Sequence, residues 1–213
     1  MDMDKYLKLA RQAKAEGNSE DAKTYYNKVR EEDPENGEAK FFYAYYALYE
    51  GKNAEIPSRF SNVCKVLPNS IKLIENSSLA KADKINAIEE IVNTFVPETW
   101  ILNRYMNSKN RETKVGDNYV KVFEASSITS VCKAGMNAIK ALGDQVEKVF
   151  PGDPECKRVA VIAWKEYVSL AQKWYAYAQK GDAEIYAEKI KLVDPSYEMP
   201  EKAGCISLLN KKD

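Results

Sequence analysis

Apolar residues recur along most of this chain at the three- and four-residue spacing of helices buried on one face. Sustained alternation, the mark of a half-buried strand, is absent, so the pattern predicts an all-α protein. Near the N-terminus the pattern repeats itself. Ala10, Ala13, Gly17, Ala22, Tyr26, Val29 and Pro34 are followed 34 positions later by Ala44, Ala47, Gly51, Ile56, Phe60, Val63 and Pro68. Small residues answer small ones, an aromatic answers an aromatic, and both Gly and Pro recur.

Each unit reads as a helical hairpin. The alanines allow close helix approach, and Gly17 suits the left-handed backbone common where a helix ends. Asn18 or Ser19 is placed to cap the second helix. Its apolar face is Ala22, Tyr25 or Tyr26, and Val29, and Pro34 is expected to end it. In the second unit Pro57 suits a first helical turn, so that helix is expected to begin near Ile56. The 34-residue register then fails, with Glu90 at a contact position and Leu102 where a proline is due. Beyond it the spacing predicts a short helix at "IKLIENS" and one over "AKADKINAIEEIVNTFV" that Pro97 stops. "ETWILNRYM" forms another, "NSKNRETKVGD" a polar loop, and Asn118 to Phe150 a long helix free to bend at Gly135 or Gly143. A degenerate third hairpin is expected at about 160–197, where Tyr167, Leu170, Ala171, Trp174, Ala183, Ala187, Ile190 and Pro195 repeat the internal spacings. The division expected is therefore 1–70 for two hairpins and 71–213 for a helical C-terminal region. "CISLL" in the tail is a short apolar run able to dock on the body.

This pattern resembles the tetratricopeptide repeat, a 34-residue helix-turn-helix unit that stacks into an α-solenoid. The resemblance covers two units, about 3–36 and 37–70, and departs from the pattern at Lys40 and Pro57. The chain also resembles uncharacterised bacterial proteins that carry a zinc ribbon before such repeats; no ribbon cysteines occur here. In the resembled family the concave surface binds extended peptides or helices. The resemblance thus implies a non-catalytic scaffold or adaptor whose partner is an unidentified protein or peptide.

The stretch 38–52 bears directly on that surface. It carries six aromatics in nine positions, from Phe41 to Tyr49. On a helical wheel Phe41, Phe42, Tyr45, Tyr46 and Tyr49 span roughly 140°, with Ala44 and Ala47 opposite. The alanine side would pack on partner helices, leaving the aromatic arc toward the concave face. A groove there would use Phe41, Phe42, Tyr45, Leu48 and Tyr49, with Leu7, Arg11 and Lys14 beside it. The alternative is that the off-pattern helices fold back and bury these aromatics as core, with the protein acting as a homo-oligomerising helical domain. The best-known peptide-binding version of the family clamps a C-terminal carboxylate with Lys, Asn and Arg. Of the positions that would matter here, Leu7, Arg11 and Phe42, one is cationic, so apolar or aromatic anchors are expected instead.

Charge and composition narrow the chemistry. Lys plus Arg equals Asp plus Glu at 32 each, so no net field steers the chain to nucleic acid or an anionic membrane. The basic cluster "SKNRETK" at 108–114 is broken by Glu112. The chain has no histidine, which removes His bases, Ser-His and Cys-His nucleophiles and His-bound metals. Cys64, Cys132, Cys156 and Cys205 are too far apart for a metal motif. Glycine-rich phosphate loops and nucleophile elbows are absent, and Glu89 and Glu90 are expected to be solvated. No enzyme activity, cofactor, metal, nucleic-acid partner or membrane partner is expected. The acidic start without an apolar signal core predicts a cytoplasmic chain. Trp164, Trp174, Tyr175 and Tyr177 crowd one helix, which suits either a homodimer contact or packing on the long helix.

Overall fold

The computed structural model describes residues 3–109, 113–115, 118–120, 125–174 and 178–202, and side chains outside 107–125 within that set. Eight helices follow in order: α1 (Met3–Ala15), α2 (Ser19–Glu32), α3 (Gly37–Tyr46), α4 (Ile56–Asn76), α5 (Lys81–Lys109), α6 (Ala125–Val149), α7 (Pro154–Lys173) and α8 (Asp182–Lys191). Two 3₁₀ turns, Ala47–Tyr49 and Asn53–Glu55, connect α3 to α4. The fold is all-α but for a small antiparallel hairpin, β1 (Thr113–Val115) and β2 (Asn118–Val120), in which Lys114 pairs with Tyr119.

The helices α1, α2, α3 and α4 pack in succession, and α4 then packs on α6, α6 on α7, and α7 on α8. Helix α5 lies against α6 and α7 and makes a smaller contact with α3 and α4. One apolar cluster runs through all of them, from Ala10 to Ile190.

Local sequence explains the helix starts. Asn18 caps α2, its side-chain oxygen accepting from the Asp21 amide at 3.2 Å. Asn36 caps α3 at Ala39 (2.9 Å), and Asp153 caps α7 at Glu155 and Cys156 (2.9 and 3.0 Å). The two N-terminal hairpins are equivalent inside. Ala10 and Ala44, Ala22 and Ile56, Tyr26 and Phe60, and Val29 and Val63 are all buried. Gly17 and Gly51 share a left-handed backbone, with φ of 73° and 70°.

Several expectations need correction. Pro34 does follow the end of α2, but Pro68 sits inside α4 and Pro97 inside α5. "IKLIENS" is the end of α4, and "ETWILNRYM" continues α5. A proline removes one ladder hydrogen bond. Burial on both sides of it outweighs that loss: Leu67, Ile71 and Ile74 in α4, and Phe95, Leu102 and Met106 in α5. The 70/71 position falls within α4. The helix expected from Asn118 starts at Ala125, because 118–120 is strand β2. Gly135 and Gly143 lie at close contacts within the continuous helix α6. A Cβ on Gly135 would lie 2.4 Å from Cγ2 of Thr99, and one on Gly143 would lie 2.5 Å from the Trp164 ring. The C-terminal hairpin is α7 and α8, turning at Gly181. "CISLL", Tyr175, Tyr177 and residues 110–112 lie outside the described residues.

Candidate functional site

Helix α3 sorts its aromatics by depth. Phe41, Phe42 and Leu48 are fully buried, so these three proposed groove residues belong to the core. The cover comes from α2 and α4, with a smaller contact from α5. Tyr26 stacks on Phe42 with ring centroids 5.0 Å apart, and Phe60 of α4 stacks on Phe95 of α5 at 5.9 Å. Tyr45 is half-buried and Tyr49 is 48% exposed.

Tyr45 and Tyr49 reach α5 through one carboxylate. Both hydroxyls donate to Glu98, which is buried, Tyr45 at 3.1 Å. Burial first, and then the Glu98 charge and hydrogen bond, push both phenols up. They are therefore neutral donors at ordinary pH, as the carboxylate requires.

The N-terminal helix contributes two cations. Arg11 donates to Glu38 from Nε at 2.9 Å and from Nη2 at 2.5 Å. The Tyr26 hydroxyl donates to the same buried carboxylate at 3.0 Å. The Arg11–Glu38 hydrogen bond raises the Arg11 guanidinium further, so Arg11 is committed to Glu38. Lys14 pairs with Glu90 of α5, and its ammonium lies 4.2 Å above the Phe42 ring. Leu7 is half-buried against the core. Glu90 is therefore not merely solvated, and neither is Glu89, which takes two bonds of 2.7 Å from Arg158 of α7. Those bonds hold the Glu89 carboxyl below its ordinary range.

Three clefts adjoin this region. The first, about 540 Å³, separates α1 from the start of α5, with Arg11 and Lys14 on one wall and Asp83, Asn86 and Glu90 on the other. A second, about 350 Å³, lies at the α1–α2 turn and is floored by Phe42, Tyr45, Tyr46 and Tyr49, with Thr94 across it. The third and largest, about 690 Å³, runs between α2 and the outer side of α3. Tyr43, Tyr46 and Tyr49 line it, facing Glu20, Lys23, Asn27 and Glu31. Lys14 is common to the first two clefts, and Ser19, Tyr46 and Tyr49 to the second and third.

Sequence reasoning thus gathered residues that do meet around α3: Arg11, Lys14, Tyr45 and Tyr49. It missed Glu38 and Glu98 and the pairing of Glu90, which hold those residues in place, and Tyr43, which lines the third cleft with Tyr46 of the aromatic arc. The available signal was a lone acid inside an apolar run, as in "FVPETWIL": such an acid is kept only with partners.

At the other end, Trp164 is buried beneath Gly143 of α6, and Trp174 stacks on Trp100 of α5 at 5.7 Å. Those tryptophans pack within the chain. Among the described residues, no group of three His, Cys, Asp or Glu is placed to hold a metal, and no helix is long and apolar enough to cross a membrane. Comparison with protein families, curated proteins and solved structures finds no match to this chain.

Proposed function

We propose that the protein is a non-catalytic scaffold or adaptor of tetratricopeptide-like build that binds a protein segment at the tyrosine-lined clefts of its N-terminal half. One observation carries this reading: the tyrosine surface of α3 is continuous across two clefts through Tyr46 and Tyr49, while the adjoining phenylalanines are core. Tyrosine offers large contact area at low entropic cost, plus a hydroxyl for orientation. The matched interiors of the two hairpins and the twin left-handed glycines support the repeat relationship. Affinity capture with mass spectrometry tests it, comparing wild type with Tyr43→Ala/Tyr49→Ala. Specific partners held by wild type and lost by the variant, with melting lowered by no more than a few degrees, are expected. Identical capture by both would reject the tyrosine surface.

A second reading, self-association, has its own observation. Ile185 and Leu192 on and just after α8 are 59% and 87% exposed at the end of the helix stack. Sedimentation equilibrium of wild type and Ile185→Glu/Leu192→Glu decides it. A dimer that the variant abolishes supports this reading, and a monomeric wild type removes it.

A further inference from the structure

Tyr43, Tyr46 and Tyr49 recur every third residue across the end of α3 and the 3₁₀ turn after it. In a 3₁₀ turn residues i and i+3 eclipse, whereas in an α-helix they drift around the axis. The change of helix type at Ala47 therefore keeps the last ring in line, and all three tyrosines line the largest cleft. Each is fixed by a different neighbour. Tyr46 stacks on Tyr26 at 6.3 Å, the Arg30 guanidinium covers Tyr43 at 3.7 Å, and Glu98 holds the Tyr49 hydroxyl. Rings ordered beforehand lose little freedom on binding. The Tyr43 and Tyr46 hydroxyls make no hydrogen bond to the described residues, which leaves two donors for a ligand.

The opposite wall is one face of α2. Glu20 and Glu31 stand eleven residues apart, about three turns and roughly 16 Å. Neither has a cation within ion-pair distance among the described residues. Lys23 is paired with Glu50 at 2.5 Å, and Lys28 lies over the Tyr6 and Tyr25 rings at 5.0 and 5.6 Å.

We propose that this cleft docks a proline-rich segment of a partner protein, in the polyproline II conformation and flanked by basic residues. The proposal rests on the adaptor reading and names its ligand. A polyproline II chain has no internal hydrogen bonds, so every carbonyl is free to accept from Tyr43 and Tyr46. An α-helical ligand has used those carbonyls, and a strand needs a sheet edge that this wall of helices lacks. Prolyl rings pack on aromatic floors, and the threefold screw returns to the same face every third residue. At ~3.1 Å per residue the span from Glu20 to Glu31 matches basic residues about five or six positions apart. An acidic segment would meet at both ends carboxylates without an ion-pair partner, Glu31 having only the Asn27 amide at 2.7 Å.

The test is fluorescence anisotropy on the full chain with three labelled peptides: Arg-Pro-Pro-Ala-Pro-Pro-Arg, the same peptide with Glu for both Arg, and Arg-Ala-Gly-Ala-Gly-Ala-Arg. Saturable binding of the first is expected, at least about tenfold tighter than either control. Tyr46→Phe removes one donor and keeps the ring, so it should weaken binding about fivefold without lowering the melting temperature. Glu20→Gln/Glu31→Gln, at two exposed positions, should weaken it about tenfold and make it insensitive to salt. Equal affinity for the three peptides, or indifference to both variants, overturns the proposal. So does absence of peptide binding while Tyr43→Ala/Tyr49→Ala still loses captured partners, and in that case the adaptor reading stands. Absence of peptide binding with unchanged capture overturns both.

Discussion

Single atoms decide how α6 meets its neighbours. Alanine normally stabilises a helix interior relative to glycine by about 1 kcal/mol. At Gly135 the sign should reverse, because the added Cβ meets the buried Thr99 methyl at 2.4 Å and the Phe60 ring at 3.3 Å. Gly135→Ala is expected to lose about 1–3 kcal/mol of stability in a denaturant melt. Glu98 is the corresponding polar case. Glu98→Ala leaves the half-buried Tyr45 hydroxyl without its acceptor and should cost about 1–3 kcal/mol, while Glu98→Gln retains an acceptor and should cost less. The thiols follow the same logic. Burial pushes Cys64 up to about 12 and Cys132 to about 11, and the Cys132 thiol donates to Asn103 at 2.8 Å. Thiol labelling at pH 8 with peptide mapping should mark neither until the chain is denatured. None of these partners was legible in sequence, because Thr99 and Gly135, or Tyr45 and Glu98, are brought together only by the tertiary fold.

Helices and turns were more legible than their ends. The twin hairpins, the Asn18 cap and the start of α4 at Ile56 are set by local signals and lie where the spacing put them, whereas the Gly181 turn falls three residues later than the repeat spacing places it. The prolines show the limit. Pro34, Pro68 and Pro97 carry the same local penalty, yet only Pro34 follows a helix end. What separates them is the apolar surface that follows. After Pro34 come Glu35 and Asn36, whereas after Pro68 come Ile71 and Ile74, and after Pro97 come Leu102 and Met106. The side chain of Gln145 on α6 also donates to the Pro68 carbonyl at 2.9 Å. Helix α5 has a two-sided role that periodicity does not reveal. It buries Phe95 against Phe60, and it offers Glu90 and Glu98 to Lys14, Tyr45 and Tyr49. The groove residues could be named as a set, but their division into core and surface depended on where α5 lies.

The molecule as a whole ties neutral tyrosines to carboxylates at three places: Tyr26 to Glu38, Tyr45 and Tyr49 to Glu98, and Tyr167 to Asp182 beside Tyr186 to Asp144. Burial and these acids raise the phenols above their unfolded value of 10.0. The folded state therefore resists their ionisation, and the unfolded state does not. The tyrosines' effect on stability should be constant below pH 10 and stability should fall as pH climbs beyond it, the buried Cys64 and Cys132 thiols starting the fall near pH 9, which melting temperatures across an alkaline pH series check. The opposite sign applies to Glu89. Its carboxyl is lowered by Arg158, so its small, exposed contribution is present above 4.5 and fades as pH falls through the carboxylate range.

The central claim is the partition of one aromatic helix into a buried side that folds and a tyrosine row that binds. Parallel denaturant melts of Phe41→Ala and Tyr43→Ala test it most directly. Phe41 is fully buried and should cost about 3–5 kcal/mol, whereas Tyr43, half-exposed on the cleft wall, should cost about 1 kcal/mol or less. Equal losses, or a larger loss at Tyr43, would contradict the account, since the row proposed for binding would then be part of the core.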